Sequence, residues 1–440
     1  MLVRPRDFEA IPEDALIKDT LGREEHVKAV CRAIAEMEGP AVVALDGGWG
    51  TGKTAVLAMC TAWLQSEFKI TVVGFNAWSQ SHTQMPLVDL VSVLTAQHKP
   101  AAGTLKKRVA AVGWHLAKFG TRGLVDRDVI AEATVSEDSW DNAEKETAEF
   151  KNQLQDWARA SGPRGLVVCV DELDRCRPEY ALSLLEVIRH LFDVPGVVVL
   201  LAINRSELSH SVKAIFGGDF SADRYLRRIV DRTVQLPVPQ HLHRQEFLAH
   251  LLHDVGLAKH LSGPIGAGTQ QMLLTVASPP GSLRDLQQAV VLVAMATASM
   301  LDPSGRLDPV HARSLIALIV LRTQAPDTYE LLTGGKVGAI EAAVELSRAW
   351  PSAPAAAQGF DAGQLDDTKR LVEAELVMMG AVSARRSRFL EDFMPTYTAA
   401  GGDETIGTYV QAQLERWSKD PLARAGSIAM IADRIELFAQ

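Results

Sequence analysis

One stretch of the sequence combines glycines, a lysine and a threonine at the spacing that holds polyphosphates. Residues 47–54 read GGWGTGKT and match the pattern G-x-x-x-x-G-K-S/T in full. Glycines let the backbone N–H groups point at a phosphate, and the following helix adds the positive end of its dipole. We expect Lys53 to reach the β- and γ-phosphates of a nucleotide and the Thr54 hydroxyl to bind Mg²⁺. The residues predicted to contact the nucleotide are Gly47, Gly48, Trp49, Gly50, Thr51, Gly52, Lys53, Thr54 and Ala55.

Two acidic residues follow an apolar run farther along the chain. Residues 166–170 read LVVCV, and Asp171 and Glu172 come directly after them. This pattern predicts that Asp171 lies at the carboxyl end of a central strand, where it can hold the Mg²⁺ shell. Glu172 is placed to deprotonate a water that attacks the γ-phosphate. The alternative interpretation is that both acids only cap the helix that begins near Glu179.

Three more polar residues are candidates for contacts with the γ-phosphate. Asn204 ends another apolar run and could bond the attacking water or the phosphate, although asparagine is also an ordinary turn residue. Arg227 and Arg228 share one face of a predicted helix and could sense the γ-phosphate, in the same chain or in a neighbouring subunit. The alternative for these arginines is ion pairing with Asp223 and Asp231.

The elements around these motifs alternate between apolar strands and helices, which indicates a parallel sheet with right-handed crossovers. After residue 244 the strand signals fade and helical patterns dominate. We therefore expect an α/β fold, with a parallel sheet flanked by helices, a helical lid and a C-terminal all-α region. The strands are predicted at 41–45, 69–75, 166–170, 197–203 and 233–236, and the helices between them at 54–67, 84–97, 138–160, 179–192 and 207–216.

The organisation of the 440 residues predicts three parts. Residues 1–240 form the nucleotide-binding core, interrupted by an insertion at about 101–137. Residues 241–300 form a helical, lid-like subdomain, and residues 301–440 form a C-terminal helical domain. The segment 351–359, which is rich in proline and alanine, is interpreted as a linker.

Composition excludes several classes of protein. Hydrophobic residues make up 47% and charged residues 22%, so whole-chain disorder is excluded. Lys and Arg number 45 against 54 Asp and Glu, and the formal net charge of −9 argues against electrostatic binding of nucleic acid by the chain as a whole. The four cysteines form no CxxC pair, and neither a signal peptide nor an apolar run of about 20 residues is visible. We expect a cytoplasmic protein without an integral membrane segment.

Together these motifs resemble the KAP family of P-loop NTPases over roughly residues 20–290. The block at residues 75–78 discriminates most, since most P-loop enzymes lack it. The matching segments are GWG at 48–50, FNAW at 75–78, DELDRC at 171–176, NR at 204–205 and YLRR at 225–228.

The resemblance implies five strands with the phosphate-loop strand near the middle, an extra strand between the two phosphate-site strands, and a catalytic glutamate. It implies ATP and Mg²⁺ as ligands. Arg284 resembles an arginine that related NTPases place near the phosphates from the lid, the alternative being a solvated residue at a helix start. Many members carry paired membrane helices at the place where this chain has residues 101–137. The chain therefore looks like a bacterial-type member without the membrane helices. Many also have Asp in place of Glu172, and either acid can serve.

Two functions fit this sequence. The first is an Mg²⁺-dependent ATPase whose hydrolysis is coupled to conformational change or assembly, and the association of bacterial KAP proteins with phage exclusion suggests a defence role. The second is a nucleotide-gated interaction switch or scaffold with little turnover. The presence of Glu172 favours hydrolysis, because a pure binding module has no need of it. A protein partner or a second copy of the chain is expected, while nucleic acid has no recognition motif to support it.

The block at residues 75–78 should lie at the rim of the site. Parallel strands end at the same edge of the sheet, where ligands bind in open α/β folds. We expect Asn76 to bond either Glu172 or the attacking water, because a polar residue there needs a partner. For Trp78 we favour a structural role, with the ring plugging the sheet edge against the following helix.

Overall fold

The computed structural model describes residues 19–97, 137–349, 370–379, 386–411 and 428–436, apart from short gaps within these ranges. The predicted insertion, but for its last residue, and the predicted linker lie outside the described residues. The chain divides into two compact units, one spanning residues 23–237 and the other spanning residues 20–22 and 238–440. Each unit has its own hydrophobic core.

The first unit is built on five strands in the order β2-β3-β4-β1-β5, and all neighbouring strands are parallel. The predicted parallel sheet is confirmed, and β4 lies between β1 and β3 as the resemblance implied. Strand β1 leads into the phosphate loop. It is the second strand from the edge of the sheet, because the short strand β5 pairs with its outer side. The strands are β1 Ala41–Asp46, β2 Thr71–Asn76, β3 Leu166–Asp171, β4 Val197–Ile203 and β5 Arg232–Gln235.

Helices cover both faces of this sheet, and their bounds agree with the predicted ones to within a few residues. β2 begins two residues later than predicted, because Lys69 has a φ of 56° and its left-handed backbone cannot continue a strand. The helices are α1 Glu24–Ala35, α2 Lys53–Ser66, α3 Ala77–Gln80, α4 Pro86–Gln97, α5 Glu137–Ala160, α6 Pro178–Leu191, α7 Arg205–Phe216 and α8 Ala222–Ile229.

The apolar runs form strands that are buried on both faces. β3 and β4 are buried along their whole length. Neighbouring residues alternate between two cores, so that Val167 packs on one face with α1 and α2, and Val168 packs on the other with α4, α5 and α6. Strands buried on both faces read as continuous apolar runs, which is why the sequence signals were strong.

The second unit is helical, and no strand occurs among its described residues. Residues from both predicted C-terminal parts, such as Leu252, Val290, Leu318 and Tyr397, contribute to one core. The division at residue 300 stays a prediction. None of the described helices is both long and apolar enough to cross a membrane. The helices are His241–Asp254, Gly263–Leu274, Leu283–Ala298, Pro309–Gln324, Pro326–Thr333, Ala339–Ala349, Arg386–Ala399 and Ile428–Glu436.

Candidate nucleotide-binding site

The phosphate-binding motif forms the turn between β1 and α2. Gly50 and Gly52 have φ values of 70° and 85°, which L side chains rarely adopt. A Cβ on Gly47 would lie 2.9 Å from Thr51 Oγ1, so a larger residue there would have to displace the Thr51 side chain. No side chain caps the N-terminus of α2. The N–H groups of its first turn are therefore oriented for an anionic ligand, as the motif predicts.

Lys53 bends back onto this turn. Its Nζ donates to the carbonyl oxygens of Gly47 at 2.8 Å and Gly48 at 3.1 Å, and lies 3.8 Å from Asp174 Oδ2. Burial lowers the pKa of Lys53, and the carboxylates of Asp174 and Asp171 oppose that shift. An ammonium group has three hydrogens. Because the two carbonyl bonds use two of them, one remains for a phosphate oxygen.

Asp171 lies buried at the end of β3 with one oxygen unused. Its Oδ1 accepts a hydrogen bond from the Glu172 backbone N at 2.8 Å, whereas Oδ2 is buried and has no partner among the described residues. Burial raises the pKa of Asp171, and the nearby Thr54 side chain opposes the shift. Such an oxygen, close to a hydroxyl, is what a hard divalent cation binds.

The donor set around Asp171 fits magnesium better than a metal held by protein alone. Among the described residues no group of three or more His, Cys, Asp or Glu side chains could hold a metal ion. Mg²⁺ in nucleotide sites takes one or two protein oxygens and completes its shell with phosphates and water. Thr54 and Asp171 meet that requirement.

Glu172 is held by two neighbours. Its Oε2 accepts a hydrogen bond from Asn76 Nδ2 at 3.1 Å, and its Oε1 lies 3.2 Å from Arg175 Nη1. The Asn76 Oδ1 accepts from Ser79 N at 3.0 Å, and this bond orients the amide so that Nδ2 faces the glutamate. Of the two partners considered for Asn76, the structure shows Glu172.

The alternative role of the two acids as helix caps is wrong. Helix α6 begins at Pro178, and its N-cap is Arg177. Glu172 instead precedes a short 3₁₀ turn, Leu173–Arg175, without capping it by its side chain. Its φ of 58° places it in the left-handed region, which is uncommon for glutamate and recurs at active sites and switch regions.

Trp78 does not plug the sheet edge, so the structural role favoured for it is wrong. It is 54% exposed, while its neighbour Ala77 is fully buried. The four-residue helix α3 turns the chain at this point and directs the indole outward. The ring lies 5.9 Å from the guanidinium carbon of Arg175, the residue that pairs with Glu172. A cation–π contact at an exposed site contributes about 0.5–1 kcal/mol.

Asn204 lies at the carboxyl end of β4. Its side chain caps α7 by accepting a hydrogen bond from Glu207 N at 3.5 Å. Its backbone N donates to Asp174 Oδ2 at 3.2 Å. The residue therefore serves the local turn that the sequence allowed, and a role toward the γ-phosphate stays a prediction.

Arg227 and Arg228 are exposed on α8, and neither has an ion pair or hydrogen bond among the described residues. The acids considered as their partners pair elsewhere, Asp223 with Arg205 and Asp231 with Arg189. The ion-pair alternative is therefore wrong for the two arginines. Their role as γ-phosphate sensors stays a prediction.

Arg284 belongs to the second unit, where it is an exposed residue in the first turn of helix Leu283–Ala298. That helix begins with a capping box formed by Ser282 and Asp285. The position agrees with a solvated residue at a helix start. A contact of Arg284 with the phosphates stays a prediction.

Sequence reasoning gave no binding role to two acids of the first unit. Asp46 ends β1 and accepts hydrogen bonds from Arg205 N at 2.9 Å and Gln235 Nε2 at 2.8 Å. Asp174 accepts from Trp49 Nε1 at 2.8 Å. Asp174 stands within the segment DELDRC at 171–176, and Asp46 directly precedes the P-loop. Neither position reveals the partners of these acids, which lie far away along the chain.

The chain was compared with solved structures, curated proteins and protein families. The ORC2 protein of Aeropyrum pernix in its ADP form has a TM-score of 0.37 and 14% identity, covering 98% of this chain and 97% of that one. A variant of RuvB from Thermotoga maritima has a TM-score of 0.31 and 14% identity, covering 79% and 85%. Both likenesses are too distant to bear on function, and no curated protein matches the chain. The family described as the KAP family P-loop domain matches residues 23–300, more than half of the chain. The chain therefore belongs to the KAP family of P-loop NTPases.

Proposed function

We propose that this protein binds ATP with Mg²⁺ and hydrolyses it, and that hydrolysis is coupled to conformational change or assembly. The observation that carries this proposal is the convergence of Lys53, Asp171 and Glu172 at one edge of the sheet. Lys53 has a hydrogen to spare, Asp171 has an unpaired buried oxygen, and Glu172 follows it directly. These are the three groups that phosphate binding, metal binding and water activation need.

Each group has a separate part in the proposed reaction. The N–H groups of the P-loop and Lys53 hold the β- and γ-phosphates. Thr54 and Asp171 would hold Mg²⁺, which would supply positive charge against these phosphates. Glu172 takes a proton from water as the water oxygen bonds the γ-phosphorus. The bond from that phosphorus to the bridging oxygen breaks, which leaves ADP and phosphate.

The substitution Glu172→Gln tests this proposal. The amide keeps the shape of the side chain but cannot take a proton, so we expect ATP affinity to stay near wild type and turnover to fall at least about 100-fold. Affinity is measured by calorimetry and turnover by phosphate release. Glu179→Gln is the matched control, because Glu179 is an exposed glutamate in the first turn of α6. Turnover near the wild-type rate in Glu172→Gln would move the base to another residue.

One observation favours the second function, a nucleotide-gated switch with little turnover. Both carboxylate oxygens of Glu172 have partners, Asn76 on one and Arg175 on the other. Two donors on one carboxylate restrain its orientation and oppose its movement toward an attacking water. In this version of the proposal, a protein partner or a second copy releases the glutamate, so that recruitment and turnover are coupled. Ordinary enzymes turn over about 10 times per second. A basal turnover of ATP that stays below about one event per minute would therefore favour the switch.

We place this activity in the bacterial cytoplasm, in defence against phage. The support is the association of bacterial KAP proteins with phage exclusion and the four cysteines, which are all free and buried. Plaque counts on bacteria that express the wild type or Lys53→Ala test the defence role. Equal counts for the two would contradict it and leave the ATPase proposal standing.

A further inference from the structure

One buried carboxylate joins three segments of the first unit. Asp174 lies in the 3₁₀ turn after β3, and its side chain is 2% exposed. Its Oδ2 accepts hydrogen bonds from Trp49 Nε1 at 2.8 Å and from Asn204 N at 3.2 Å. Trp49 belongs to the P-loop and Asn204 to the end of β4. A single oxygen therefore connects the phosphate-binding turn with the strand end beside it.

The hydrogen bond to Asp174 restrains the Trp49 side chain. The Trp49 side chain sits on the protein surface and is 50% exposed, so burial of the ring holds it only in part. A hydrogen bond to a buried carboxylate is charge-assisted and contributes more than a neutral one. Lys53, in contrast, has two carbonyl partners besides Asp174, so the lysine does not depend on this carboxylate alone.

We propose that Asp174 is a positioning residue that holds the P-loop at a fixed distance from the end of β4. This inference rests on the proposed function, because it concerns where a bound γ-phosphate lies relative to Glu172 and Asn204. Asp174 does not act as the base. Its Oδ2 already accepts two hydrogen bonds, and the side chain is shielded from water.

The test is a double-mutant cycle on ATP turnover. Asp174→Ala removes both bonds and should lower kcat about tenfold, on the order of 1.4 kcal/mol, with KM within about twofold. Trp49→Phe should lower kcat by up to the same factor, and the double variant should be no slower than Asp174→Ala. Asp174→Asn keeps a carbonyl acceptor and should restore most of kcat. A role in folding alone would change the melting temperature and leave kcat unchanged.

Trp78 supplies the matched control, as an exposed tryptophan whose indole N–H has no partner among the described residues. Trp78→Phe should have the same effect on kcat in the wild type and in Asp174→Ala. The indole N–H resonances report the contact independently of hydrolysis: in ¹⁵N-tryptophan-labelled protein, Asp174→Ala should move the Trp49 resonance and leave that of Trp78 in place.

Two results would overturn the inference. If the Trp49 resonance does not move in Asp174→Ala, the two side chains are not in contact in solution. If the effects of Trp49→Phe and Asp174→Ala on kcat are additive, the two residues are not coupled. Failure of the proposed function has a different signature, namely no turnover by the wild type at any concentration of Mg²⁺ and ATP. In that case the Trp49 resonance still decides whether Asp174 holds the loop.

Discussion

Freeing Glu172 from its partners should raise ATP turnover. Asn76→Ala removes the hydrogen bond to Oε2, and Arg175→Gln removes the ion pair at Oε1. Both changes leave Lys53 and Asp171 in place, so nucleotide affinity should stay near the wild-type value. The direction follows from the proposed restraint, since the two donors hold the carboxylate in its present orientation and oppose a movement toward the attacking water.

The size of the effect follows from the exposure of each contact. A hydrogen bond to a charged group contributes about 1.5–3 kcal/mol when it is buried, and the partly buried Asn76 bond should fall near the lower end. About 1.4 kcal/mol corresponds to a tenfold increase in the free carboxylate and hence in turnover. The ion pair is partly exposed, with side chains 29% and 17% accessible, and such pairs contribute about 0.2–1 kcal/mol. Arg175→Gln should therefore raise turnover only about 1.4- to fivefold.

Phosphate release at saturating ATP measures the effect, with affinity from calorimetry beside it. Asn76 also caps α3, so Asn76→Ser is the matched variant, because serine retains a capping oxygen but is too short to reach Glu172. Arg177→Gln removes the same charge from an exposed arginine two residues from Arg175 and should have no effect. A fall in turnover for Asn76→Ser and Arg175→Gln, with affinity intact, would refute the reasoning. The two residues would then hold Glu172 in its productive position.

Three further outcomes are expected. Lys53→Ala should weaken ATP binding at least about tenfold in calorimetry, since it removes the lysine charge predicted to contact the phosphates, and wild-type affinity would contradict the site. A chain with Arg227→Ala and Arg228→Ala, mixed with the Lys53→Ala chain, should recover turnover that neither shows alone if these arginines act on a neighbouring subunit; no recovery would contradict that role in a neighbouring subunit. Burial lowers the pKa of His26 from its ordinary value of 6.5, and the positive charge of Arg23 lowers it further. As the pH falls, the unfolded chain therefore binds a proton at His26 before the folded chain does, and the free energy of unfolding should decrease below pH 6.5. His26→Asn should reduce this loss between pH 7.5 and 5.5 in thermal melts, whereas His210→Asn, at an exposed site, should not; equal slopes for the two would contradict the assignment.

The sequence predicted what depends on residues that are neighbours in the chain. The P-loop is one contiguous segment whose glycines meet local backbone demands, so its turn and the start of α2 follow from residues 47–54. Four strands are apolar runs buried on both faces, and such runs are visible without knowledge of the fold. Asp171 and Glu172 could be located because they stand at the end of such an apolar run. Trp78 was misjudged because hydrophobicity does not reveal which way a short helix turns the chain.

The contacts that govern the site were decided by the tertiary structure. Asn76 meets Glu172 across 96 residues, and Trp49 meets Asp174 across 125, because parallel strands bring their carboxyl ends to one edge of the sheet. The register pairs Asn76 with Asp171, so Asn76 stands beside the strand that carries the acids. A sequence shows that a polar residue ends or directly follows each strand. Which two of these residues bond depends on strand order and register, and these are properties of hydrogen bonding between segments that are distant in the chain.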